Sequence, residues 1–493
     1  MRLLLNRLYE HEEVDIPIDD KLTIFIGNNG SGKTTILNMI YNVLNCNFKP
    51  FIELEFDKLT FVMEESDYTN NQENLNPLIR SITLLRVEKG EDFELYITYE
   101  LTNQDSYSFK LYKHGLPFYE VDYIIETENA PDGSYVNGFN NGAFSDSLER
   151  ISKSYPDLDF NIWELKKSIL YFPTYRRIDS DLLNLLEQNH NNRFEGDFEN
   201  IKKLFDSLPT NNKIVGINNN DIDHIFKKYS SELQSVNTEG LNDVLKGIIN
   251  QLLEGAYSYT NEKELSFSHV YQYRSQSKKE NFSEAPEKLI QLANQLQLDN
   301  VNRESISEYF KMQERYNIHT PFSISNDTDS SDIKGPTTED INRMMFSMNG
   351  NNDLILKLID SYSNHLKYLD EFLRPYEYLS ENFNNFFQQK IKLNMSSKNY
   401  KIELSKSFKE MSTGEKQILT ILCYSALFKS NAYRPLIIID EPELSLHMSW
   451  QMKLLPALLK LPNKARLIIA THSPYIAYDE YNDYIFAVGE TDD

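Results

Sequence analysis

Cysteine is almost absent from this chain: only Cys46 and Cys423 occur in 493 residues. Two thiols cannot build a disulfide framework or a structural zinc cluster, and a reducing compartment is the economical reading. Also missing are a signal-peptide pattern and any apolar run of membrane-spanning length. A soluble, cytoplasmic protein without a membrane partner is therefore expected. Basic charge is in deficit, with 50 Lys and Arg against 74 Asp and Glu and a net charge of −24. Such a surface repels a phosphate backbone at long range, so non-specific duplex binding by the whole protein is disfavoured and a basic protein partner is equally well suited. Direct DNA contact is left to local clusters such as Arg176 and Arg177, or Lys278, Lys279 and Lys288. In an acidic chain these are more often solvated surface. The nine histidines are scattered, with no His-Asn-His nuclease array. What the chain does have is enough apolar material, 40% of residues with 12% aromatic, to exclude wholesale disorder.

Against that background one string carries the most chemistry. Gly27-Asn28-Asn29-Gly30-Ser31-Gly32-Lys33-Thr34 fits the phosphate-cradling pattern GxxxxGK[ST]; it follows the apolar run Leu22-Thr23-Ile24-Phe25-Ile26 and opens the helical one Thr35-Ile36-Leu37-Asn38-Met39-Ile40. Glycines let successive N–H groups curl around an anion, and the new helix points its positive end at the same phosphates. Residues Asn28, Asn29, Gly30, Ser31, Gly32, Lys33, Thr34 and Thr35 are thus the expected ATP-binding set. Lys33 would reach the β- and γ-phosphates, and the Thr34 hydroxyl would sit on Mg²⁺. The bland alternative is a glycine turn before a core helix.

Three further segments matter. Leu436-Ile437-Ile438-Ile439-Asp440-Glu441 is an apolar strand ending in two carboxylates. A strand apolar on every residue is buried on both faces, as in a central parallel sheet, where ligand sites lie at the carboxyl ends. Asp440 then emerges where Mg²⁺ would be, and Glu441 is placed to accept a proton from an attacking water without needing an unusual pKa. The stretch Met411-Ser412-Thr413-Gly414-Glu415-Lys416-Gln417 contains an S-x-x-E capping box ahead of a helix, which also aims a hydroxyl and free N–H groups at any phosphate in front of it. Finally, Leu467-Ile468-Ile469-Ala470-Thr471-His472 is a second buried-type strand ending in a histidine.

In this order the four motifs resemble an ATP-binding-cassette ATPase of the SMC-, RecF- and OLD-like branch, which includes chromosome-maintenance, double-strand-break-repair and overcoming-lysogenization-defect proteins. The resemblance implies an α/β P-loop NTPase head, built of a central mainly parallel sheet and an antiparallel β lobe, with ATP and Mg²⁺ as cofactors. It makes Ser412 and Gly414 the signature contact to the γ-phosphate held by an opposite subunit. Thr34 and Asp440 become the metal residues, Glu441 the catalytic base, Glu443 to His447 the dimer-contacting loop, and His472 the switch histidine. Two departures, Thr413 in the signature and Met448 after His447, remove no ligand. No glutamine of the kind this family places after its next strand can be assigned, because Ser168-Ile169-Leu170-Tyr171-Phe172 is followed by Pro173-Thr174-Tyr175-Arg176-Arg177-Ile178-Asp179. That last segment, with the STGEKQ and EPELSLH forms, is similar to the ATPase subunits of Septu-type anti-phage systems, which also accompany some retrons.

Because the P-loop lies near the start and the other motifs near the end, one head must be assembled from residues 1–179 and 388–493 around an insertion at 180–387. The insertion reads as mostly helical and compact, with a stripe at Ile355, Ile359, Tyr362, Leu366, Leu369 and Leu373 before Pro375 and a surface loop from Ser323 to Asp340. Only a short tail follows His472, so nuclease activity is expected on another polypeptide. The expected function is an ATPase subunit of an anti-phage system. It would work as an ATP-sandwiched homodimer, or an assembly of dimers, that controls a separate nuclease effector, with a reverse transcriptase and its RNA as further partners in a retron setting. Two other classes compete: a DNA-repair or chromosome ATPase acting directly on DNA, and a nucleotide-gated scaffold with little turnover.

Overall fold

The computed structural model describes residues 1–8, 11–52, 54–69, 77–89, 92–114, 122–127, 136–137, 155–174, 221–261, 284–296, 302–317, 351–477 and 479–488. Tyr175 to Asp179, the basic residues Lys278 and Lys279, and the stretch from Ser323 to Asp340 lie outside these residues.

The chain divides into two compact units, one of residues 1–225, 375–393 and 404–493, the other of residues 226–374 and 394–403. The first contains both large sheets. One is antiparallel, eight strands in the order β2-β1-β4-β5-β6-β7-β8-β9: β1 Arg2–Leu8, β2 His11–Pro17, β4 Lys58–Val62, β5 Ile79–Lys89, β6 Asp92–Leu101, β7 Ser106–His114, β8 Asp122–Thr127 and β9 Val136–Asn137. Its strands alternate apolar and polar residues. In β4, for example, Leu59 and Phe61 are buried between exposed or half-buried neighbours, the habit of a sheet with one wet face.

The other sheet is parallel, in the order β10-β13-β14-β3-β15, with β3 Leu22–Ile26, β10 Ile169–Phe172, β13 Leu436–Asp440, β14 Arg466–Ala470 and β15 Ile485–Ala487. Every residue of β10, β13 and β14 is buried, so helices must cover both faces. Four helices of this unit are α1 Lys33–Leu44, α2 Pro156–Lys167, α7 Thr413–Leu427 and α8 Met448–Leu458. Helix α1 buries Ile36, Leu37, Met39, Ile40, Val43 and Leu44. Beyond its end Cys46 takes a left-handed backbone, φ 54°. Cys423 lies within α7, whereas Cys46 lies outside a helix, because the chain turns out of α1 after Leu44.

At the start of β14, Arg466 is almost wholly buried and paired with Asp67 and Asp20, with Ser66 Oγ 3.3 Å away. A charge in that position is tolerable only because carboxylates surround it.

The second unit is built on helices α3 Asp221–Asn261, α4 Ala285–Gln295, α5 Arg303–Asn317 and α6 Asn351–Phe387, the first and last of which run on into the other unit. Its core joins Tyr362 to Leu241 and Leu292, and Ile359 to Ala285 and Phe310. The apolar stripe of α6 is present, with Ile359, Tyr362 and Leu369 buried. Pro375 does not end it, and the helix continues to Phe387. Burial of Leu379, Phe383, Phe386 and Phe387 beyond the proline offsets a penalty of about 3 kcal/mol for proline in a helix. A two-stranded ribbon pairs β11 Leu393–Met395 with β12 Ile402–Leu404.

Candidate functional site

The parallel order brings the carboxyl ends of β3, β10, β13 and β14 to one edge, and the loops that leave them hold the chemistry. From β3 the chain enters Gly27 to Gly32. Gly30 and Gly32 sit at φ 84° and 94°, and a Cβ at either would meet nothing within 4 Å, so glycine is required there for its backbone conformation. Gly27 is different: at φ 153° a Cβ would stand 2.5 Å from the Val488 carbonyl oxygen and 2.7 Å from Ser31 Oγ, so the close approach of the backbone just after β15 excludes any side chain. Ser31 Oγ is buried, with no hydrogen-bond partner among the described residues.

Lys33 follows as the first residue of α1, 4% exposed. Its Nζ donates to the carbonyl oxygens of Gly27 (3.0 Å) and Asn28 (3.2 Å) and lies 2.8 Å from His472 Nε2. Burial lowers its pKa, and the nearby Glu441, Asp440 and Glu443 carboxylates oppose that shift. Thr34 Oγ1 reaches both carboxylate oxygens of Asp440, at 3.2 and 3.1 Å. A second hydroxyl, Thr174 Oγ1, donates to Asp440 Oδ2 at 2.5 Å from the loop after β10.

The residue after Asp440 is held in an unusual backbone. Glu441 has φ 50°, a left-handed conformation that costs a non-glycine residue on the order of 1 kcal/mol, and its N–H donates to the Ala470 carbonyl of β14 at 2.9 Å. Its Oε1 lies 3.2 Å from His472 Nε2. Desolvation, a hydrogen bond with Glu443 and the charges of Glu443 and Asp440 push the Glu441 carboxyl up to about 8, against the pull of Lys33. The role of a base does not require an unusual pKa of Glu441, yet burial and two further carboxylates beside it give it one.

Together these groups line a cleft of about 680 Å³ that includes Gly30, Lys33, Thr34, Glu441, Glu443 and His472. Its opening is a helix N-terminus and a glycine loop, an anion site, and its far wall carries carboxylates and a histidine. A family model described as the AAA ATPase domain matches residues 7–477. The chain belongs to that family.

Among relatives of this AAA ATPase is the "Retron Ec83 probable ATPase" of Escherichia coli, 28% identical over 174 residues, which are 30% of this chain and 32% of that protein. The chain therefore spans about a third of that relative's length. Solved structures with similarity include the Smc head domain of Pyrococcus furiosus with an extended coiled coil, bound to the C-terminal domain of ScpA (13% identity, 99% of this chain and 92% of that chain, TM-score 0.33). A second is the Smc head domain with a coiled coil and joint from Pyrococcus yayanosii (14% identity, 100% and 95%, TM-score 0.29). The family and the sheet topology together give a P-loop NTPase fold. Among the described residues no helix is long and apolar enough to cross a membrane.

Of the expected site residues, Asn28, Ser31 and Asp440 adjoin residues that line the cleft without lining it themselves, and Ser412 and Gly414 do not line it either. The Ser412 hydroxyl accepts the Glu415 N–H (3.3 Å) while Glu415 Oε2 accepts the Ser412 N–H (2.8 Å), and Lys406 pairs with Glu415 at 3.0 Å. The capping box is real. Gly414 packs against the next segment so closely that a Cβ would lie 2.6 Å from the Ser445 carbonyl oxygen. Thr174 and Gln451 were not among the residues singled out from sequence. A polar residue just past the buried strand β10 was the available signal for the first, whereas nothing in the sequence pointed to Gln451.

Proposed function

We propose that this protein hydrolyses ATP between two copies of itself and uses the resulting engaged and released states to control a separate effector, a nuclease, in anti-phage defence. What supports the reading is the separation just described. Lys33, Thr34, Glu441 and His472 line one cleft, and Asp440 is joined to it through the Thr34 hydroxyl, whereas Ser412 and Gly414, at a capped helix N-terminus, do not line it. A helix N-terminus of this kind can serve a phosphate brought by a second subunit in an isologous contact. In this reading residues 1–179 and 388–493 form the head around the insertion at 180–387.

The donor set fits a magnesium ion. Thr34 Oγ1 and an Asp440 carboxylate within 3.2 Å of each other are hard oxygen ligands, and Mg²⁺ commonly takes one or two protein oxygens plus phosphate oxygens. When bound there it would neutralise charge developing on the phosphates. The protein's own contributions are separate. Lys33 and the amides of residues 28–35 hold the phosphates, Glu441 orients and deprotonates water, and His472 reports on the γ-phosphate through its contacts to Lys33 and Glu441. The retron setting rests on the Escherichia coli relative, and with it come a reverse transcriptase and its RNA as partners of the Septu-like or retron assembly.

Mixing a Lys33→Ala chain with a Ser412→Arg chain tests the trans arrangement. Each should be inactive alone, while heterodimers retain one intact composite site and recover part of the hydrolysis. A fully active Ser412→Arg protein would refute it, since a bulky cation there could not coexist with a γ-phosphate at an engaged interface. Expressed from its own locus, the wild type should lower phage plating and Lys33→Ala should not; equal plating would remove the defence role.

A further inference from the structure

We infer that Glu443 is a positioning residue for hydrolysis: its carboxylate clamps the backbone that carries His472, so that the loop after β14 and the segment after β13 act as one piece. This rests on the ATPase reading above and adds a group that acts within one subunit, where family resemblance assigns the segment from Glu443 to His447 to contacts between subunits.

The geometry is specific. Glu443 Oε1 accepts two successive backbone N–H groups, from His472 at 2.7 Å and from Ser473 at 3.1 Å. A carboxylate accepting paired amides makes charge-assisted bonds stronger than neutral ones. It fixes the direction in which the His472 side chain leaves the backbone. A second strap runs in parallel. Ser473 Oγ donates to Gln451 Oε1 at 2.6 Å, and Gln451 Nε2 donates back to the carbonyl oxygens of Leu446 (3.0 Å) and Glu443 (3.5 Å). Ser473 Oγ in turn accepts the Tyr475 N–H at 3.1 Å. Residues 443–446, helix α8 and residues 472–475 are thus cross-linked at both ends. The ring so held places Nε2 between Lys33 Nζ and Glu441 Oε1, at 2.8 and 3.2 Å, so a shift of the loop misplaces the histidine against both groups.

Steady-state ATP hydrolysis by the full chain with Mg²⁺ provides the test, with bound nucleotide and thermal melting measured in parallel. Glu443→Ala is expected to lower kcat about 10- to 100-fold while KM for ATP moves less than about threefold, as a misplaced catalytic group should. Glu443→Gln keeps an oxygen that accepts both amides and should restore kcat to within about threefold of wild type. In a His472→Ala background, Glu443→Ala should cause less than about twofold further loss, because residues that act through one another are not additive. Should the alanine variant fail to fold, Glu443→Asp retains the charge but withdraws the oxygen by one methylene and should show the same selective loss of kcat. Wild-type kcat in a folded alanine or aspartate variant, losses that multiply in the double variant, or a glutamine variant as poor as alanine would each overturn the inference while leaving hydrolysis itself intact. A wild-type chain that binds but does not hydrolyse ATP would overturn it together with the enzymatic reading.

Discussion

Replacing Glu441 by Gln should improve the fold and stop the reaction. The substitution keeps the shape of the side chain and leaves the left-handed backbone at φ 50° as it was, so strain cancels in the comparison. What changes is charge. Desolvation first, then Glu443 and Asp440 beside it, lift the Glu441 carboxyl from 4.5 to about 8. A carboxyl with a folded-state pKa above its unfolded one favours folding only below the unfolded value, and the advantage is lost as pH rises from 4.5 toward about 8. The glutamine does not titrate, so its benefit should be small at pH 5 and largest at pH 8. Its amide N–H can also donate to the Glu443 carboxylate, with which the Glu441 side chain is in hydrogen-bond contact. Because Glu441 is only half-buried, the net gain is taken as about 1 kcal/mol, a rise in Tm of about 2 °C in a chain this long. Turnover should fall by about 100-fold or more with the loss of a general base, and labelled ATP should still bind. Melting curves at pH 5 and 8 without nucleotide, together with steady-state hydrolysis, check both halves. A variant that melts lower than wild type at pH 8 would refute the electrostatic account, and unchanged hydrolysis would show that another group positions the water.

Lys33→Ala removes the cation around which the glycine loop is built and should weaken equilibrium ATP binding by about tenfold or more, roughly the worth of one buried charge-assisted contact; binding at wild-type strength would sink the P-loop assignment. In the helical unit, Gly240→Ala would drive a methyl group into the ring of His365, a residue 6% exposed whose Nε2 lies 3.2 Å from Asn237 Oδ1. Overpacking of that kind should destabilise the protein by about 1–3 kcal/mol, read as a lower denaturation midpoint with ATP binding in the head unchanged. An unaltered midpoint would mean that α3 and α6 move apart freely.

How much of this was legible in the sequence depends on where each cause lies. The run from Leu436 to Asp440 declared a strand buried on both faces, and the structure seats it between β10 and β14. The glycine string and the Ser412–Glu415 box were equally readable, because each is a local device whose residues make their own geometry. Arg466 reads as an anomaly before an apolar strand until Asp67 and Asp20 are brought to it across some 400 positions. The same holds for Thr174, which reaches Asp440 over a separation of 266 residues. The stripe read from sequence stops before Pro375, but the helix runs on, and the aromatic residues beyond the proline are buried, Phe386 and Phe387 against Trp450 of α8.

The Glu441 pKa is the sharpest case. Two carboxylates at positions 441 and 443 are visible in any reading of the chain, but their interaction depends on the backbone that folds them together. The turn at Glu441 with positive φ, anchored by the Ala470 carbonyl, directs the Glu443 carboxylate back under the loop of His472, where two N–H groups hold it beside its neighbour. Proximity in sequence became proximity of charge only because β14 lies parallel to β13: the strand supplies the carbonyl that bends the chain, and the loop that follows it supplies the amides that retain the carboxylate. Sequence reasoning can thus name the groups at strand ends, whereas their energetics belong to the strand pairing that sets those ends side by side.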